Sequence, residues 1–198
     1  VRPTTYTNLT LAGGGTKTTT GTTVNGIMSM EGTATASAAP TYGSNATLQY
    51  NSSSNRTVGP EWPATFTGTG GIIIKNSGYV SLNQTRSLGT NTPLQVFPNA
   101  RFTIEADATL NTNNNNITLG GDFINNGGLV AGSSNITITG TANQSIGTIS
   151  TTGSFSTNKT GGTATLTGSI SAGAFTLNGT GGTLHLGNGL THTFTGTT

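Results

Sequence analysis

Short runs of strict apolar–polar alternation recur along the chain, and nearly every one is closed by glycine or asparagine. Examples are Asn116-Ile-Thr-Leu119, Asn135-Ile-Thr-Ile-Thr139, Thr163-Ala-Thr-Leu-Thr167, Ala174-Phe-Thr-Leu177, Thr183-Leu-His-Leu186 and Thr191-His-Thr-Phe-Thr195. A period of two places apolar side chains on one face and Thr or Asn on the other, the pattern of a half-buried strand. Gly and Asn between the runs supply the positive φ that turns require. No segment reads as an amphipathic helix. The runs also have a spacing: Asn116 and Asn135 begin matching runs 19 residues apart, and Gly161-Gly162 recurs as Gly181-Gly182 after 20. A unit of about 20 residues made of two or three short strands is one coil of a β-solenoid, whose apolar side chains are buried only when coils stack. About ten such coils fit the chain, giving a rod of roughly 48 Å at ~4.8 Å per coil.

Longer repeats point the same way. Gly14–Thr33 aligns without a gap on Gly161–Thr180, with nine of 20 positions identical, and apolar character is kept at Met28/Phe175 and Met30/Leu177. A weaker copy relates Lys75–Leu82 to Lys159–Leu166. These repeats favour an all-β parallel solenoid over the alternative, a β-sandwich, whose strands rarely repeat in sequence. The expected organisation is one solenoid segment over residues 1–198. An irregular insertion is expected at about 40–67, where Pro40, Tyr42, Tyr50, Pro60, the single Trp62 and Pro63 gather with the polar run 51–55.

Composition narrows the function classes. Charged residues make up 6% of the chain, against about 25% in ordinary soluble domains, while 44 of 198 residues are Thr and 31 are Gly. The seven basic residues (Arg2, Lys17, Arg56, Lys75, Arg86, Arg101, Lys159) are scattered, which argues against a nucleic-acid footprint. No apolar run approaches the ~20 residues of a membrane-spanning helix. Cysteine is absent, so there is neither a disulfide framework nor a thiolate metal site. The chain opens on Val1 without a signal-like region, as expected of a processed product or an excised segment.

Candidate chemistry is sparse. Among the five acids only Glu105 and Asp107 are close in sequence; they share the outer face of a predicted strand with Arg101, where a solvated surface pair is the simplest expectation. Carboxylates are too few for a calcium cage. His185 and His192 fall on different predicted strands and are too few for a zinc site. No catalytic residue, metal or cofactor is therefore expected. Ten Asn-x-Ser/Thr sequons, at Asn8, Asn45, Asn51, Asn55, Asn83, Asn116, Asn135, Asn143, Asn158 and Asn178, are candidate N-glycosylation sites, in modest excess over chance. Trp62, flanked by prolines, is either a plug over the core or a candidate sugar-stacking platform. Thr-x-Thr pairs raise the idea of a water-ordering, ice-binding face, but they show no fixed period.

Two segments, Thr5–Thr18 and Gly127–Ile146, resemble the Thr/Gly/Asn-rich repeats of very large bacterial secreted surface proteins, the filamentous-haemagglutinin-like and autotransporter-passenger β-helix adhesins. The resemblance implies a right-handed parallel β-helix, export to the cell surface, and adhesive or matrix roles; it carries over no site residues. The resulting expectation is a non-enzymatic extracellular stalk, adhesin or fibre subunit, with a polysaccharide-binding or polysaccharide-cleaving β-helix as the alternative. Its expected partners are further coils, by end-to-end self-association or as neighbouring repeats of a longer chain, together with glycans or host and matrix surfaces, with no nucleic acid and no membrane span.

Overall fold

The computed structural model describes residues 1–76, 78–96 and 108–196. Among them there is no helix; 27 short strands pair only in parallel, three to a coil, and build a β-solenoid of nine turns. One face is a continuous nine-stranded sheet that begins with Leu9–Leu11, Ile27–Met30 and Thr47–Asn51 and ends with Thr163–Leu166 and Thr183–His185. The face preceding it in each coil starts as a three-stranded sheet and continues as a six-stranded one, from Thr65–Phe66 to Ala174–Gly179. The face following it is divided into sheets of two, four and three strands.

Alternation explains the core. Leu9, Met28, Leu48, Ile72, Leu94, Phe123, Ile146 and Leu166 stand on one another in register, one per coil, and all are buried. On the six-stranded face the same holds for Ile117, Ile136 and Phe155, leading to Phe175, whose ring stacks 6.1 Å from that of Phe155. Each coil alone would leave these side chains in water; stacking removes them at about 25 cal/mol per Å² of apolar surface.

Tight coil-to-coil spacing dictates some glycines. At Gly120 a Cβ would strike the carbonyl oxygens of Gly89 and Leu88 in the preceding coil. Gly32, at φ +59°, turns where a Cβ would lie 2.7 Å from the Gly13 carbonyl oxygen.

The coil step is variable. Leu9 faces Met28 and Met28 faces Leu48, steps of 19 and 20 residues, whereas Leu48 faces Ile72 and Leu94 faces Phe123, steps of 24 and 29. Register on the faces is preserved across these steps.

Two expectations are corrected. Residues 40–67 are not an insertion: Thr41–Tyr42, Thr47–Asn51 and Arg56–Thr57 are the three strands of the third coil, and Thr65–Phe66 opens the fourth. Only the corner between them departs from the pattern. The alignment of Gly14–Thr33 with Gly161–Thr180 matches strand to strand but on different faces, since Ile27–Met30 belongs to the nine-stranded sheet and Ala174–Gly179 to the six-stranded one. All three faces alternate alike, so a sequence match does not identify the face. The true coil step is the shorter one, which pairs Ile117 with Ile136 and Thr163 with Thr183.

The two ends differ. Inward Leu9 and Leu11 of the first coil are 9% and 2% exposed. In the last coil Leu177, stacked on buried Thr157, is 66% exposed, and Leu186 is 51% exposed.

Candidate functional site

The outer surface is organised by hydroxyls. On the six-stranded face Thr65, Ser87, Thr118, Thr137, Ser156 and Thr176 are successive register partners, one unbroken column up the rod. Neighbours in it are ~4.8 Å apart, the spacing of paired strands, and the Thr137 and Ser156 hydroxyls hydrogen-bond at 3.0 Å. A shorter column, Ser150, Ser171 and Thr193, runs along the following face. Of the six column members only Thr65 and Thr137 belong to Thr-x-Thr pairs, so those pairs do not trace the column.

Corners are organised by asparagine. The side-chain carbonyl of Asn8 accepts the backbone N–H of Ile27 at 2.7 Å, Asn116 that of Asn135 at 2.9 Å, Asn135 that of Ser154 at 3.0 Å and Asn143 that of Thr163 at 2.9 Å. Asn114 and Asp122 do the same for Ser133 and Ser145. Each bond satisfies a backbone donor that the strand ladder leaves open as the chain turns. In Asn8-Leu9-Thr10, Asn116-Ile117-Thr118 and Asn135-Ile136-Thr137, a corner Asn precedes one inward residue and one outward hydroxyl. Coil geometry alone thus writes the sequon. Of the ten sequon asparagines nine are exposed and Asn51 is half-buried. Asn45 accepts a hydrogen bond from the Thr69 hydroxyl, Asn51 donates to Glu31, and Asn83 accepts from Arg86.

The described acids serve as structural acceptors. Glu31 Oε1 accepts from the Ser29 hydroxyl and Asn51 Nδ2, at 3.0 and 3.2 Å, and Asp122 caps Ser145. Glu105 and Asp107, with Arg101, lie outside the described residues. No group of three or more His, Asp or Glu side chains gathers among the described residues. His192 staples the last coil, its Nε2–H donating to the Leu186 carbonyl at 2.7 Å and its Nδ1 accepting the Ile170 N–H at 3.1 Å, while His185 accepts from the Gly187 N–H. Lys159 is buried with its ammonium donating to Gln144 Oε1 at 2.6 Å and to the Ala142 carbonyl at 2.8 Å; burial among these neutral acceptors lowers its pKa.

A polar cluster that sequence reading missed occupies the corner between the third and fourth coils. Within Gly59-Pro60-Glu61-Trp62-Pro63 the Glu61 and Trp62 side chains turn inward, and the Glu61 carboxylate turns back to accept the Gly59 N–H at 2.9 Å. A Cβ on Gly59 would sit 2.6 Å from Glu61 Oε2, so glycine makes room for the carboxylate. The Tyr50 hydroxyl donates to Glu61 Oε1 at 3.1 Å, and the Tyr42 hydroxyl to the Glu61 backbone carbonyl at 2.6 Å. Both phenols are held well above their ordinary range, first by burial and then by the Glu61 charge. Arg56 lies 5.5 Å over the Tyr50 ring, a cation–π distance, and donates to the Ala34 carbonyl. Arg86 is buried and donates to Asn83 Oδ1 at 2.6 Å; burial lowers its pKa, opposed by Tyr50 and Glu61.

Trp62 is 0% exposed, its ring 6.1 Å from that of Tyr50. The sugar-stacking expectation is corrected: the long corner carries the indole into the coil interior, where it plugs the core and presents no face to a sugar. The one sequence signal for the cluster is the gathering of Tyr, Trp, Glu, Arg and Pro in a chain otherwise poor in them.

Comparison with protein-family models, with curated proteins and with solved structures finds no match for this chain.

Proposed function

We propose that the chain is a non-enzymatic, extracellular structural or adhesive rod, secreted or held at a cell surface, whose six-stranded face is the contact surface. The observation that carries this reading is the unbroken column of six outward hydroxyls on that face. A stack of internally satisfied strands holds such a column rigid without ordering cost at the moment of contact. Repeating hydroxyls at strand spacing suit a repeating, hydroxyl-rich partner such as an insoluble polysaccharide or a glycan-coated surface. The use of Glu31, Glu61 and Asp122 as structural acceptors supports a scaffold more than a hydrolase. Exposed sequon asparagines make N-linked decoration part of the proposal, and the open last coil is the end at which further coils or a second copy would add.

The test is co-sedimentation with insoluble polysaccharides. Thr118→Lys with Thr137→Lys is expected to abolish retention, and Ser150→Lys with Ser171→Lys on another face to leave it unchanged. Equal behaviour of the two pairs would remove the six-stranded face from the proposal. Release of soluble sugar during the assay would replace the non-enzymatic reading.

A further inference from the structure

The corner cluster opens on a recess of about 350 Å³ whose wall includes Pro60, Trp62, Pro63, Asn83, Gln84 and Arg86. Its size is at the lower end of small-molecule sites. The hydrogen bonding of the cluster behind that wall, to which Arg56 and Glu61 also belong, is unbalanced. Among the described residues, Arg56 Nε and Nη1, Arg86 Nε and Trp62 Nε1 are buried donors without an acceptor, while Glu61 Oε2 is one buried acceptor without a donor. Native proteins pair more than about nine in ten buried polar groups, and an exception needs an explanation. Among the described residues the cluster's charge is unbalanced in the same direction, with two guanidinium groups, Arg56 and Arg86, and one carboxylate, Glu61. Arg86, at 1% exposure, has the neutral Asn83 amide as its side-chain acceptor.

We propose that this recess binds a small monocarboxylate, anchored by the Arg86 guanidinium with the Trp62 indole N–H as second donor. A planar guanidinium matches a carboxylate in two parallel hydrogen bonds. The prolines supply an apolar wall for the ligand's carbon skeleton, and Asn83 and Gln84 supply amides for its hydroxyls. One excess positive charge selects a monoanion; a dianionic phosphate would restore an imbalance beside the Glu61 carboxylate. The inference is independent of the rod's outer contacts, since it concerns a different part of the molecule.

The chain has one Trp, and it lines the recess, so its emission reports occupancy. The experiment titrates the protein with sodium acetate, sodium glucuronate, glucose and sodium chloride, each from low salt. Saturable emission changes with acetate and glucuronate, and none with glucose, are expected. A response to chloride equal to that of the carboxylates, or a response to glucose equal to that of glucuronate, would overturn the carboxylate assignment; no saturable response to any probe would overturn the site. Arg86→Gln should weaken acetate and glucuronate by ~10-fold or more, the loss of a charged hydrogen bond. Because that variant removes a buried side chain, Asn83→Asp provides the second arm: it places a carboxylate on the Arg86 fork, so the fold is kept, the melting temperature rises and the response to added carboxylates disappears. An Asn83→Asp protein that responds like wild type would also overturn the proposal.

Discussion

At Asn135 one side-chain oxygen accepts both the backbone N–H and the hydroxyl of Ser154, each at 3.0 Å, and so joins two coils at a corner. Asn135→Ala leaves a corner donor to water and is expected to cost about 1 kcal/mol. Chemical denaturation checks this against Asn55→Ala at an exposed loop position, expected within ~0.5 kcal/mol of wild type. Tyr42 and Tyr50 lead to a pH prediction. Their folded pKa values lie well above the ordinary 10.0 of the unfolded chain. Below that value both states hold the phenolic protons and the contribution is fully present. Above it the unfolded chain releases them first, binds fewer protons, and stability falls as pH rises toward the folded values. Phenolate absorbance followed with circular dichroism should show these two residues ionising only together with alkaline unfolding; their ionisation in the intact fold would contradict the buried cluster.

Strands and corners divide the work at the next scale. The strand faces were legible in sequence, because period-two alternation maps directly onto inward and outward positions, and all six alternating runs contain strands. Stacking partners were less legible. They depend on coil length, which varies from 19 to 29 residues between Leu9/Met28 and Leu94/Phe123, so the hydroxyl column is not periodic in sequence. The polar cluster was illegible for the same reason: Tyr42 and Tyr50 come from two strands of the third coil, Glu61 from the corner after it and Arg86 from the first strand of the fifth, and they meet only after stacking. Trp62 was ambiguous because flanking prolines fix the backbone without fixing whether the ring turns in or out. As the plug of its corner, Trp62→Ala is expected to cost about 3–5 kcal/mol, the range for a large buried aromatic. A thermal melt measures it, and a loss below ~1 kcal/mol would place the indole at the surface.

The whole molecule is a one-dimensional stack in which each coil contacts its neighbours, and its ends are unequal. Leu177 at 66% exposure in the last described coil makes that end the one at which the proposed self-association is tested. Light scattering over a concentration series is expected to show association in wild type that Leu177→Lys suppresses, with little change in melting temperature because the side chain is already in water. Association unaffected by that change would move the contact elsewhere. The parallel ladders have a mechanical meaning as well. Hydrogen bonds between coils lie along the rod axis, so tension between the termini loads the coil interfaces in series and the weakest yields first. Single-molecule stretching should peel turns one at a time from the last coil inward. A turn of 20 residues, such as that between Ile146 and Leu166, releases ~70 Å of chain, and the 29-residue turn between Leu94 and Phe123 ~100 Å. The force trace would then read out the coil lengths in order, and a tether built from such turns would lengthen under load in steps while its remaining coils stayed folded.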